Sequence, residues 1–127
     1  MPGKINIMRI PLLTLMLLTS LTSRAQNLLA IPDTLSGTVF NLNIAPGSRT
    51  FYPGFTTSTI GVNGDYLGPT LMLRQGDMVT MNVTNNITDT TTLHWHGMHV
   101  PAQADGGPHI TIAPGTTWSP TFEVKDH

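Results

Sequence analysis

Two histidines separated by one residue are the part of this chain whose chemistry is easiest to interpret. They lie in the stretch Leu93-His94-Trp95-His96-Gly97, directly after three threonines. Side chains of an extended segment alternate between two faces, so His94 and His96 share one face while Leu93 and Trp95 share the other. Two residues at a rise of about 3.3 Å each separate the imidazoles by roughly 7 Å. The pattern predicts ligands for two neighbouring metal ions on a short strand whose opposite face is buried.

The elements that must position this pair are predicted to be β-strands. From Ser36 onward, short runs rich in Thr, Val, Ile and Leu are separated by Gly, Pro and Asn. Alternation places Phe40, Leu42 and Ile44 on one side of their strand, and Val79, Met81 and Val83 on one side of another. Predicted strands occupy residues 38–44, 56–62, 70–73, 78–83 and 117–124 besides the histidine segment, with turns at 45–48, 63–64, 75–77 and 113–115. This spacing predicts an all-β sandwich or barrel over residues 36–127.

The beginning of the chain has the features of a secretory signal peptide. Lys4 and Arg9 precede an apolar run over residues 10–18, and Ser23-Arg24-Ala25 forms a small-x-small cleavage site. The apolar run is shorter than the ~20 residues of a membrane-spanning helix. We therefore predict a signal peptide over residues 1–25, a loose leader over 26–35, and export to the periplasm or the cell exterior.

Charge and cysteine content exclude several function classes. From Gln26 onward the chain has three basic and seven acidic residues, which gives a formal charge of −4. The domain therefore offers no basic surface for nucleic acid or anionic membranes. The 127 residues suffice for one domain, and they contain no cysteine, which excludes disulfides and thiolate metal ligands within the chain. No serine lies in a nucleophile-elbow motif, so a hydrolase finds no support.

Several motifs together resemble the N-terminal cupredoxin domain of multicopper oxidases, a family that includes laccases and bacterial copper-efflux oxidases. The match runs from about Gly61 to Gly115, and the segment from Val100 to Pro108 is most similar to the bacterial enzymes. Leu67 departs from the family pattern, which commonly has proline before Gly-Pro-Thr. The matching positions are Asn63-Gly64, Gly68-Pro69-Thr70-Leu71, Gly76-Asp77, Val83, Asn85, Thr92 to Gly97, Asp105-Gly106 and Pro114-Gly115.

The resemblance implies a fold, a cofactor and a reaction. The fold would be a cupredoxin-like Greek-key β-sandwich, and the reaction would couple one-electron oxidation of a phenol or a low-valent metal ion to the reduction of O₂ to water. His94 would bind the type 2 copper and His96 one type 3 copper of a trinuclear cluster, as imidazole suits copper. The blue copper and the other cluster ligands would belong to further cupredoxin domains. The last predicted strand ends close to His127, and from this we expect a truncated chain that is inactive alone.

Other residues near the motif leave alternatives open. By family position, Asp105 would orient a ligand histidine and supply protons for O₂ reduction, whereas an Asp-Gly turn is the simpler structural interpretation. His99, at odd spacing, is expected to face solvent, and His109 follows Gly-Gly-Pro in a variable position.

Two other functions compete with the oxidase. A non-catalytic copper-binding β-domain would hold copper weakly through His94 and His96. A two-domain nitrite reductase of the same fold is disfavoured, because that family lacks His-Trp-His-Gly.

Overall fold

The computed structural model describes residues 31–126, so the predicted signal peptide over residues 1–25 lies outside the described residues. Seven strands carry the fold, and the only helical element within 31–126 is one turn of 3₁₀-helix at Ala102–Ala104. Nowhere in this part of the chain is a helix long and apolar enough to cross a membrane. The all-β prediction is confirmed. The strands are β1 (Thr34–Ser36), β2 (Val39–Tyr52), β3 (Phe55–Val62), β4 (Thr70–Met72), β5 (Met78–Asn85), β6 (Thr117–Trp118) and β7 (Thr121–Glu123).

The larger sheet is built around β2 and β5. Strand β2 pairs antiparallel with β3 and, over Val39 to Ile44, parallel with β5. The far side of β5 pairs antiparallel with both β6 and β7. A second, two-stranded sheet is formed by β1 and β4, which are parallel. The single strand predicted over residues 117–124 is therefore two short ones, separated at Ser119-Pro120, where proline cannot donate to the ladder.

The turn predicted at residues 45–48 is wrong, because β2 continues to Tyr52 and the chain reverses after it. Pairing with β5 ends at Ile44, so the remainder of β2 pairs only with β3. Pro46 lies opposite Ile60 in this one-sided stretch, where a missing N–H is tolerated. Pro46 and Gly47 thus lie where β2 pairs on one side only, and they do not form a turn.

The predicted loose leader ends in a strand. Thr34 and Leu35 belong to β1 and pair with Thr70 and Leu71 of β4. The Thr70 N–H also donates to the Asp33 carbonyl at 2.8 Å. Composition near Pro32 predicts irregular chain, but a partner far along the sequence supplies the hydrogen bonds that make it a strand.

One face of the β2–β5 pair supplies the centre of the core. The alternation predicted for both strands is confirmed, with 0% exposure for every inward-facing side chain of β5. Ile112 and residues of the 3₁₀-helix and β7 complete this core. Burying each large aliphatic side chain contributes about 1.5–3 kcal/mol. The inward-facing hydrophobic residues of the two strands are Phe40, Leu42, Ile44, Val79, Met81 and Val83.

Candidate metal centre

The histidine segment is extended but is not part of a sheet ladder. Thr91 forms one bridge with Ile112, through N–H···O distances of 3.1 and 2.7 Å. The chain then runs without strand pairing to a turn at His96-Gly97, with the Trp95 N–H donating to the carbonyl of Asp105 at 3.4 Å. The prediction of a strand is therefore wrong, whereas the predicted alternation is confirmed. Trp95 is buried, and His94 and His96 are exposed on the opposite side. Their ring centroids lie 5.7 Å apart with an interplanar angle of 89°.

Trp95 anchors the segment to the core. Its ring stacks on Trp118 at 6.3 Å and contacts Phe122 at 6.0 Å. Its indole Nε1–H donates to the carbonyl of Ala104 at 2.8 Å. Because this side chain is held by both packing and a hydrogen bond, the two flanking imidazoles are directed together to the outside.

Asp105 contacts His94 in two ways. The Nδ1 atom of His94 lies 3.0 Å from the main-chain carbonyl oxygen of Asp105 and 3.2 Å from its carboxylate Oδ1. A carbonyl oxygen only accepts, so Nδ1 of a neutral His94 carries the proton and Nε2 keeps the lone pair that binds a metal. In many metal sites the histidine ring nitrogen that does not bind the metal donates a hydrogen bond to a carbonyl or carboxylate, and this bond orients the ring. The structure brings Asp105 and His94 together, and Asp105 is also part of a turn.

The loop that carries Asp105 lies unusually close to the histidine segment. A Cβ added to Gly106 would lie 1.8 Å from the carbonyl oxygen of Leu93, and its φ of +76° is in the left-handed region. The Gly107 N–H donates to the hydroxyl of Thr92 at 2.9 Å, and that hydroxyl donates to the carbonyl of Ile110 at 2.8 Å. Only glycine permits this approach at position 106.

Asn85 fixes the opposite end of the segment, a role that residue types and spacing alone do not predict. It is fully buried, and its Nδ2 donates to the carbonyls of Asp89 at 2.9 Å and Ile112 at 2.8 Å. Its Oδ1 accepts from the Ile87 N–H at 3.0 Å. Since Ile112 bridges to Thr91, Asn85 sets where the histidine segment begins. Its place among the family motifs was the only signal in the sequence.

Two other histidines, His99 and His109, lie within the described residues. His99 is exposed, as predicted, and contacts Asp126 through its backbone N–H and its ring Nδ1. His109 is exposed beyond Gly107-Pro108. An open cavity of about 170 Å³ is lined in part by His94, and its other walls are mainly apolar residues that include Leu42 and Leu71.

The residues present suit copper. Two imidazoles point to one side, and the contact between Nδ1 of His94 and Asp105 leaves Nε2 as a donor for a metal. No group of three or more His, Cys, Asp or Glu residues converges on a metal position within residues 31–126. The pair is thus able to supply one ligand to each of two ions.

Comparison with known proteins connects this geometry with a family. Residues 43–127 match the multicopper oxidase profile. Multicopper oxidase mco of Staphylococcus aureus is 43% identical over 86 residues, which cover 68% of this chain and 19% of that protein. Cell division protein FtsP of Glaesserella parasuis is 31% identical over 110 residues, 84% of this chain and 24% of that protein. The chain spans about a fifth of the length of such curated relatives.

A solved structure similar to this chain is the laccase-like multicopper oxidase CueO from the lignin-degrading bacterium Ochrobactrum sp. It superposes with a TM-score of 0.74 at 39% identity, covering 77% of this chain and 23% of that one. The predicted cupredoxin-like fold is confirmed by this match. The profile covers well over half of the residues, and the chain belongs to the multicopper oxidase family.

Proposed function

We propose that this chain is the N-terminal part of an exported multicopper oxidase that couples one-electron oxidation of a substrate to the four-electron reduction of O₂ to water. In this proposal His94 and His96 are the first His-x-His pair of a trinuclear copper cluster. The observation that carries it is the contact between Nδ1 of His94 and Asp105, which leaves Nε2 available beside a second imidazole. Further domains of the full-length protein supply the remaining ligands and the blue copper.

In this proposal the copper types are assigned from the family resemblance, and each residue has its own role. Nε2 of His94 binds the type 2 copper, and the ring of His96, edge-on to it, binds one type 3 copper. Bound copper supplies the one-electron redox chemistry by which four electrons reach a single O₂. The carbonyl of Asp105 holds the tautomer of His94, while its carboxylate, 3.2 Å from Nδ1, moves protons toward the site. The four-electron reduction of O₂ consumes four protons, and in this proposal the carboxylate of Asp105 delivers protons for that reaction.

The proposed electron donor is a phenol or a low-valent metal ion. The Ochrobactrum enzyme, similar in fold and sequence, is described as having oxidase activity towards lignin model compounds and lignosulfonate, which favours phenols. The acidic balance from Gln26 onward gives no support to nucleic acid or an anionic membrane as a partner. Export to the periplasm or the exterior is proposed from residues 1–25.

The second candidate is a non-catalytic copper-binding protein of the same fold. It is favoured by one observation, namely that a relative 31% identical to this chain bears the name of a cell division protein and not of an oxidase. Both candidates require His94 and His96 to bind copper, but only the oxidase requires them for oxygen consumption.

The test uses the full-length protein that contains these residues. We expect His94→Ala or His96→Ala to abolish oxygen uptake while leaving the blue copper absorbance largely intact, because the blue copper lies in another domain. His109→Ala, which alters an exposed histidine beyond the loop, is the matched control and is expected to behave as wild type. Loss of the blue band in the first two variants would contradict the site assignment. A wild-type protein that binds copper without consuming oxygen would favour the second candidate.

A further inference from the structure

Asp126 binds His99 through both of its carboxylate oxygens. Oδ2 accepts the backbone N–H of His99 at 2.9 Å, and Oδ1 contacts the ring Nδ1. The hydrogen bond from the His99 side chain is the main cause that lowers the pKa of Asp126 below its ordinary value. The two residues are 27 positions apart in sequence, so this contact joins two distant parts of the chain.

The residues before Asp126 are themselves firmly attached. Val124 is buried, its N–H donates to the carbonyl of Asp77, and its carbonyl accepts the N–H of Gly76, both at 2.9 Å. The side chain of Gln75 donates to the carbonyl of Lys125 at 3.1 Å. The backbone that precedes Asp126 is therefore held in place by these hydrogen bonds and by the burial of Val124.

His99 lies in the loop that follows the histidine pair. The Met98 N–H donates to the carbonyl of Trp95 at 3.1 Å, which closes a turn around His96-Gly97. Asp105 fixes the His94 side of the pair, whereas Asp126 fixes the loop immediately beyond His96. The pair is thus held at both ends.

We propose that Asp126 is a positioning residue for the copper ligand His96, acting by holding the backbone of His99 three residues later in the chain. This inference rests on the proposed function. The backbone contact matters most, since it fixes the path of the loop, while the ring of His99 is 82% exposed and adds only an exposed side-chain contact.

The experiment compares four variants of the full-length, copper-loaded protein. The readouts are the rate at which copper passes to a chelator and the appearance of an EPR signal from type 3 copper that is no longer coupled. Asp126→Ala is expected to accelerate copper loss about ten-fold and to produce the new signal, as loss of an orienting partner does at other metal sites. Asp126→Asn should restore most of the wild-type behaviour, because its amide oxygen still accepts the His99 N–H.

Two further variants separate positioning from other causes. His99→Ala keeps the backbone N–H and is expected to remain within about two-fold of wild type, since an exposed side-chain pair contributes little. Asp65→Ala is the matched control, because Asp65 also forms an exposed pair, with Arg49 at 3.3 Å. The inference is wrong if Asp126→Ala loses copper no faster than Asp65→Ala. It is also wrong if His99→Ala loses copper as fast as Asp126→Ala. Failure of the proposed function would appear separately, as His94→Ala and His96→Ala variants that retain full cluster copper.

Discussion

Replacing Gly106 with alanine should misplace His94 without touching a proposed copper ligand. Alanine at a φ of +76° is strained by about 1–2 kcal/mol. Its Cβ would also lie 1.8 Å from the carbonyl oxygen of Leu93, where real contacts begin at about 3.0 Å. The backbone must open by the difference, about 1.2 Å, which adds about 1–3 kcal/mol as overpacking does in cores.

Gly115→Ala is the matched control for this substitution. Gly115 has a φ of +73°, so alanine there carries the same conformational strain, but nothing lies within 4 Å of the added Cβ. We expect Gly115→Ala to cost only the strain of about 1–2 kcal/mol. The difference between the two variants isolates the displacement of the backbone at Leu93.

The assay is oxygen uptake by the two variants of the full-length protein, with copper content and thermal midpoint measured in parallel. A misplacement of about 1 Å at a catalytic centre costs up to about 100-fold in rate, so Gly106→Ala should lose at least ten-fold more activity than Gly115→Ala. The thermal midpoint should fall in both variants, and further in Gly106→Ala. Equal activity in the two variants would refute the claim that close packing at Gly106 positions His94.

Three other predictions concern single side chains. Asn85→Leu removes three side-chain hydrogen bonds, of which the one to Ile112 is buried, and at about 0.5–1.5 kcal/mol each this should lower the free energy of unfolding by about 3 kcal/mol, against less than about 1.5 kcal/mol for Asn86→Ala, as measured by denaturant titration of the copper-free protein. Asp105→Asn keeps the carbonyl that orients His94, so copper content should be unchanged while kcat falls on the order of 100-fold; unchanged turnover across pH would reduce Asp105 to a turn residue. The pKa of Asp126 is lowered from 3.8 in the folded protein, so its stabilisation is present above that pH and is lost as the pH falls through the lower folded value. The thermal midpoints of wild type and Asp126→Asn should therefore differ at neutral pH and converge below pH 3.8. A difference that stays constant with pH would show that titration of Asp126 does not affect stability.

The parts of the fold that the sequence predicts are those governed by alternation along one strand. Phe40, Leu42 and Ile44 are buried as predicted, because a single buried face requires period two. The same rule places His94 and His96 together even though their segment lies outside a ladder. Alternation depends on the extended backbone and on burial of Trp95, and it does not require pairing with a neighbour.

Features that depend on distant partners were not predictable in this way. Pro46-Gly47 has the composition of a turn, and only the end of pairing with β5 explains why a strand continues there. The hydrogen bonds of Asn85 to Ile112 and of Asp126 to His99 each span 27 residues. No local pattern of residue types encodes such contacts, so they become visible only when the chain is folded.

The most direct test of the copper assignment is pulsed EPR of the type 2 copper in the full-length protein. If Nε2 of His94 binds this copper, the wild-type spectrum contains the remote-nitrogen couplings of its imidazole, and His94→Ala loses one such set or loses the type 2 copper altogether. His109→Ala should leave the spectrum unchanged. A type 2 signal with the same couplings in His94→Ala and in wild type would contradict the assignment of His94 as a copper ligand.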